Sequence, residues 1–295
     1  MNLAQENLKN AWQASLYLRF GDTAVGTQLL NTKRHGPLNV QRAFFPEGKD
    51  CAHVYLLHPP AGIVSGDELR ISIDVLEGAH ALITTPGANR FYRAREDISI
   101  GDSKQYQHVE FRLAKDAKCE NFPLETIVYD GADGVNEVDI YLHKNASYLG
   151  WDITCLGLPS STQPFKSGSF TQLNRVFCDD ELIFHDRIAV HPNNDIFNHV
   201  AGLNAKHVFA TFLAHVPLDS DQKSALEQSI DSLRAVVSEN DAEGKVSITK
   251  IRGLLVMRYL GDNAEECKAL FTELWQILRP IVMQKTAVNP RIWYT

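Results

Sequence analysis

Leu69-Arg70-Ile71-Ser72-Ile73-Asp74-Val75-Leu76-Glu77-Gly78-Ala79-His80-Ala81-Leu82-Ile83 is the stretch that decides the fold class. Leu69, Ile71, Ile73 and Val75 alternate with Arg70, Ser72 and Asp74, the two-residue period of a strand with one buried face. Glu77-Gly78 then turns the chain, and Ala79, Ala81 and Ile83 alternate again, which predicts a hairpin. The same period recurs on either side, at Ala14, Leu16, Leu18 and Phe20, at Val109, Phe111 and Leu113, and at Val138, Ile140 and Leu142. Gly36-Pro37, Pro59-Pro60, Pro86-Gly87, Gly101-Asp102 and Lys144-Asn145 separate these runs. Short strands so spaced suit a sandwich, a barrel or a stacked β-solenoid. Periodicity does not choose among them, and no strict repeat demands the last.

The pattern changes near residue 219. Leu226, Ile230, Leu233 and Val237 form one apolar helical stripe, with Asp219 or Ser220 available as N-cap. A strand-like piece at Leu254–Tyr259 follows. Asn263 then caps a second predicted helix carrying Cys267, Leu270, Phe271, Leu274, Trp275 and Leu278, which Pro280 is expected to stop. The expectation is a mainly β (α+β) chain read as one domain over 1–295, with a helix-bearing part at 219–280.

A net charge of -7, with basic residues scattered, argues against a nucleic-acid partner. Five cysteines without a CxxC pair fit buried thiols in a reducing compartment. Met1 to Asn7 lack the basic and apolar parts of a signal peptide, and no run suits a membrane helix, so a cytoplasmic location is expected.

Two segments stand out chemically. In His58-Pro59-Pro60-Ala61-Gly62-Ile63-Val64-Ser65-Gly66-Asp67, paired prolines stiffen the chain and two glycines permit close approach or positive φ. It reads either as a strand-joining turn or as a functional loop, and it carries no nucleotide-binding motif. In Thr84-Thr85-Pro86-Gly87-Ala88-Asn89-Arg90-Phe91-Tyr92-Arg93, Arg90, Tyr92 and Arg93 could hold an anion, or simply decorate a loop. The eleven histidines form no HExxH or HxH pattern, and no GxSxG is present, so neither a tight metal cage nor a nucleophilic enzyme is indicated. At the C-terminus, Trp275 to Pro280 and Pro290 to Thr295 combine tryptophan and arginine as interface anchors do. Trp293 could equally dock the terminus on the core.

Taken in order, these segments resemble the urease accessory protein UreD family, called UreH in some lineages. The resemblance is carried by Arg34-His35-Gly36-Pro37-Leu38 with Val40-Gln41-Arg42, His58 to Asp67, Thr84 to Arg93, and Gly150-Trp151-Asp152 with Leu156-Gly157. Val256 to Leu260, Leu274-Trp275 with Arg279-Pro280, and Pro290 to Thr295 complete it. The family loop usually reads HPPGGIVGGD; Ala61 and Ser65 stand where it has glycines, suggesting that positive φ is dispensable there. Leu158 stands where a basic residue is common.

The resemblance implies a β-helix-like stack of strands with two helices. It also implies a non-enzymatic scaffold that docks on the urease apoprotein and recruits UreF and, through it, the GTPase UreG, so that nickel reaches a dinuclear site bridged by a carbamylated lysine. No tightly bound cofactor is expected, only nickel in transit along a polar passage whose ligands must be weak enough to release it. Asp67 is the first candidate for that passage, with Glu68, Glu125 and Asp186 behind it. The motif-loop residues are His58, Pro59, Pro60, Gly62, Gly66, Pro86, Gly87, Arg90, Tyr92 and Arg93. Exposed helix faces with Trp275, Arg279, Arg291 and Trp293 are the expected UreF surface. A ligand-binding β module and an unrecognised hydrolase are the rival readings.

Overall fold

The computed structural model describes residues 12–217 and 221–294. The chain opens with the hairpin β1 (Gln13–Thr23) and β2 (Gly26–His35), then β3 (Asn39–Val40) and β4 (Ala52–Leu57). It next shuttles between two sheets through β5 (Glu68–Val75), β6 (His80–Thr84), β7 (Asn89–Phe91), β8 (Gln105–Leu113), β9 (Lys118–Phe122) and β10 (Thr126–Val128). The shuttle continues through β11 (Asp133–Leu142), β12 (Ser147–Leu158), β13 (Gln163–Pro164), β14 (Ser169–Cys178), β15 (Glu181–Val190) and β16 (Val208–His215). α1 (Asp221–Glu239), β17 (Val246–Ile251), β18 (Leu254–Gly261) and α2 (Ala264–Val282) complete it.

The first sheet runs β15-β14-β11-β8-β5-β1-β2, and its members from β14 to β1 are parallel. The second runs β17-β18-β16-β12-β9-β6-β4-β3, with β12, β9, β6 and β4 parallel. The fold is mainly β, a stack of two-sheet coils as expected, but β5 and β6 are not a hairpin. They belong to different sheets, and Leu76–Ala79 is a corner closed by Ala79 N donating to Leu76 O at 3.1 Å. Equivalent corners close on Ala117, which donates to Ala114 O, and on Ala146, which donates to His143 O. All three alanines are buried where successive corners stack, Lys118 N donating to Ala79 O and Ser147 N to Ala117 O.

The two sheets differ in exposure. The first faces water on one side, so β14 alternates cleanly, whereas the second is covered by the first sheet on one face and by the helices on the other. That double burial makes every residue of β6 and β16 buried. α1 packs through Leu226, Leu233 and Val237, and α2 through Cys267 to Val282. Asn263 caps α2 as expected, its Oδ1 accepting from the N–H groups of Glu265 and Glu266. Pro280 does not stop this helix, which runs two residues further. The Asp219 or Ser220 cap, Met1 to Asn7 and Thr295 lie outside the described residues.

Candidate functional site

Between the sheets lies a cavity of about 320 Å³, and the sequence places amide side chains along it where apolar ones would complete the core. On β14, Gln172 and Asn174 share the inward face with Phe170 and Val176. Gln107, Asn136 and Gln172 occupy one rung of three adjacent parallel strands. Their amides form a chain: Asn89 donates to Gln107 at 3.4 Å, Gln107 to Asn136 at 3.0 Å, and Asn136 to Gln172 at 2.8 Å. Gln172 then donates to Asn174 at 3.0 Å, and Asn174 Nδ2 crosses to the other sheet to reach Asp152 Oδ2 at 2.7 Å.

Asp152 ends this chain without being satisfied. Its Oδ1 is shielded from bulk solvent and has no hydrogen-bond partner among the described residues, and neither does the nearby Thr154 hydroxyl on the same face of β12. Burial pushes the Asp152 carboxyl up to about 7; Asp186 reinforces the shift, while Asn174 and Arg258 oppose it. Asp186 sits opposite Asn174 in the β14–β15 register, within 3.0 Å of Arg258, and accepts from the Thr211 hydroxyl at 3.4 Å. At the other end of the cavity, His58, Ala61, Pro86, Gly87 and Arg90 from the two motif loops form its lining. His58 Nδ1 is buried without a partner, and burial lowers the imidazole's pKa, favouring the neutral, ligating form.

The loop His58 to Asp67 is shaped by local bonds. Ala61 adopts φ 61°, so the left-handed conformation is retained where the family has glycine, contrary to the expectation that it is dispensable. Ser65 is needed for another reason: its hydroxyl accepts from Arg95 N at 2.7 Å. Gly62 has no room for a Cβ beside the Tyr92 ring. Pro59 and Pro60 form the exposed turn, Gly66 takes φ 87°, and Arg93 pairs with Glu96 outside the cavity.

None of the four passage candidates lines the cavity. Asp67 closes its own turn, accepting from Val64 N at 2.9 Å. Glu68 lies on the outer face with Arg70, and Glu125 flanks the cavity through Leu124 and Thr126 without joining its lining. Asp186 comes nearest, opposite Asn174 in register and bonded to the lining residue Thr211, but it makes no hydrogen bond to the amide chain. Asp152, Asn174, Gln172 and Asn136 were not singled out as passage residues from sequence; the available signal was an amide at a buried parity of an alternating strand.

Trp275 and Arg279 are also not surface anchors, because both are fully buried. Arg279 donates to Glu120 at 2.9–3.1 Å, to both carboxylate oxygens of Glu47 and to Thr286 O. Trp275 Nε1 and His80 Nε2 complete Glu120 at 2.9 and 3.0 Å, and His53 Nε2 reaches Glu47 at 2.6 Å. Burial alone would raise both carboxyls, but His80 and Arg279 hold Glu120, and His53 and Arg279 hold Glu47, at about 2. Two groups that share Cys51, namely Glu47, Cys51 and His53, and Cys51, His80 and Glu120, each hold ligand-type atoms within 4.8 Å of one another. The guanidinium already supplies the cation, and burial keeps that thiol protonated. Arg291 is exposed and Trp293 half-buried.

No helix among the described residues is long and apolar enough to cross a membrane. A sequence model of the UreD urease accessory protein family matches residues 13–294. The chain is 61% identical over 293 residues to the urease accessory protein UreD of Psychromonas ingrahamii, covering 97% of this chain and 95% of that one. It is 41% identical to the UreD of Marinobacter nauticus (96% and 93% covered) and 38% identical to that of a Marinomonas species (96% and 90%). Matched from end to end of its described fold, this chain belongs to the UreD family of urease accessory proteins, assembly factors of urease maturation rather than catalysts.

Proposed function

We propose that this chain docks on the urease apoprotein, carries UreF and through it UreG on its helix-bearing side, and passes nickel through the cavity between its sheets. The observation that supports the passage is the amide chain ending at the unsatisfied Asp152. Amide oxygens, one or two carboxylates and a single imidazole are hard to borderline ligands, suited to brief contacts with a divalent ion. A thiolate cage would retain it. The cavity also has volume to hold water around such an ion, whereas the carboxylates of the Arg279 cluster are already met by donors.

The helix-bearing side supports the docking part through the exposed faces of α1 and α2 and the neighbouring Arg291. Trp275 and Arg279 act from beneath, fixing α2 on the second sheet. The reading is tested by producing urease with and without this chain beside UreF and UreG. Omission should leave folded urease poor in nickel, and the full chain should co-purify with urease and UreF. Undiminished nickel content without the chain would remove the proposal.

A further inference from the structure

After α2 the chain returns along the outer side of the second sheet without contributing a strand among the described residues. It is held by separate tethers: Lys118 Nζ donates to Met283 O and Gln284 Oε1, both at 3.1 Å, Lys285 pairs with Asp50 at 2.7 Å, Arg279 donates to Thr286 O, and the Tyr55 hydroxyl is hydrogen-bonded to the Ile292 backbone. It ends in the 3-10 turn Arg291–Tyr294, where Trp293 N donates to Pro290 O at 3.0 Å. Trp293 Nε1 donates to Thr84 Oγ1 at 3.0 Å. Its ring centre lies 5.6 Å from Trp151, 5.8 Å from Trp275 and 6.1 Å from Phe122, with Lys268 Nζ over it at 5.5 Å.

One of the residues under Trp293 belongs to a wall of the cavity. Trp151 lines it, and Thr84 directly precedes the lining residues Thr85, Pro86 and Gly87. Trp151 Nε1 donates to Pro123 O at 2.9 Å, and Leu124 N donates to Thr85 Oγ1 at 2.9 Å, so these pieces are joined. Trp293 covers that wall from the side of α2.

We propose that residues 284–294 are a releasable strap, anchored at the buried Met283, and that Trp293 is its latch on the Trp151 wall. A segment held by isolated tethers opens at lower free energy than the ladders beneath it, so the strap can lift while both sheets and α2 stay formed. Lifting it removes the Trp293 donor from the Thr84 hydroxyl, which keeps its own bond to Phe122 O, and uncovers Trp151 on the helix-bearing side. The functional consequence rests on the passage reading above: an occupant of the α2 side that displaces Trp293 would open the route toward itself.

The test is hydrogen exchange on the full chain in its complex with the urease proteins, comparing wild type, Trp293→Ala and Thr84→Val. Exchange at residues 84–87 and 122–126 should rise by roughly tenfold in Trp293→Ala, and less but in the same direction in Thr84→Val, with α2 still protected. Unchanged exchange in Trp293→Ala overturns the latch whatever Thr84→Val shows, because Thr84→Val also loses the bond to Phe122 O, and so does loss of α2 protection together with the wall. Nickel content of urease from the same samples separates the two ideas. An opened wall with unchanged nickel keeps the latch and removes its role in transfer, whereas nickel loss in Asp152→Ala concerns the passage alone.

Discussion

Two polar assemblies are buried in this protein, and they are built on opposite plans. Around Arg279, every carboxylate oxygen of Glu47 and Glu120 is met by a donor, and the charges hold one another ionised. Around Asp152, neutral amides lead to a carboxylate with one oxygen unmet, beside open volume, and its carboxyl is pushed up. In the first network the carboxylates are fully met, with only the far ring nitrogen of His53, Nδ1, lacking a partner among the described residues, and it serves to fix α2 on the sheet. An unsatisfied one keeps coordination capacity for something else, at a cost to the fold.

The largest expected effect tests the first plan. Arg279→Met takes the guanidinium from two buried carboxylates, leaving them only their histidine and tryptophan partners, and should cost about 3–5 kcal/mol in denaturant unfolding. A cost near zero would mean that the network is not what holds α2.

The pH dependence should separate the two assemblies by sign. Glu47 and Glu120 have carboxyls depressed from 4.5 to about 2, so their stabilisation is complete above 4.5 and is lost as pH falls toward 2. Asp152 is raised from 3.8 to about 7, so the native state keeps a proton that the unfolded chain releases, and stability declines as pH rises between those values. Asp152→Asn should therefore stabilise the protein at pH 8, by roughly 1–3 kcal/mol, and change little at pH 4. Equal effects at both pH values would contradict the raised carboxyl.

The smallest effect concerns the loop at the cavity mouth. Ala61→Gly relieves a left-handed alanine and should raise stability by roughly 0.5–1 kcal/mol, measured as a shifted unfolding midpoint. A loss instead would show that the alanine methyl packs productively on the lining.

Parts of this contrast were legible in the sequence and parts were not. Strands of the first sheet announce themselves because one face is wet, as at Leu69 to Val75. β16, Val208–His215, carries no alternation because both its faces are buried. The coil repeat was hidden by unequal excursions between the corners at Ala79, Ala117 and Ala146, so adjacent β5 and β6 resembled a hairpin. Asn263 was readable as a cap because capping is local. Trp275 and Arg279 looked like surface anchors because interfaces and buried ion networks use the same residue types; only the positions of Glu47 and Glu120, distant in sequence, distinguish them. Asp67 attracted attention for its motif, while the ladder residues lie in unremarkable strands whose inward parity gains meaning only when Gln107, Asn136 and Gln172 are aligned.

The most direct test is nickel bound per urease active site when urease is produced with wild-type, Asp152→Ala or Asp67→Ala chain and the accessory complex is recovered intact. If the ladder cavity is the route, Asp152→Ala should lower nickel loading several-fold, while a folded Asp67→Ala chain should stay near wild type. Full loading with Asp152→Ala, or loss confined to Asp67→Ala, would contradict it.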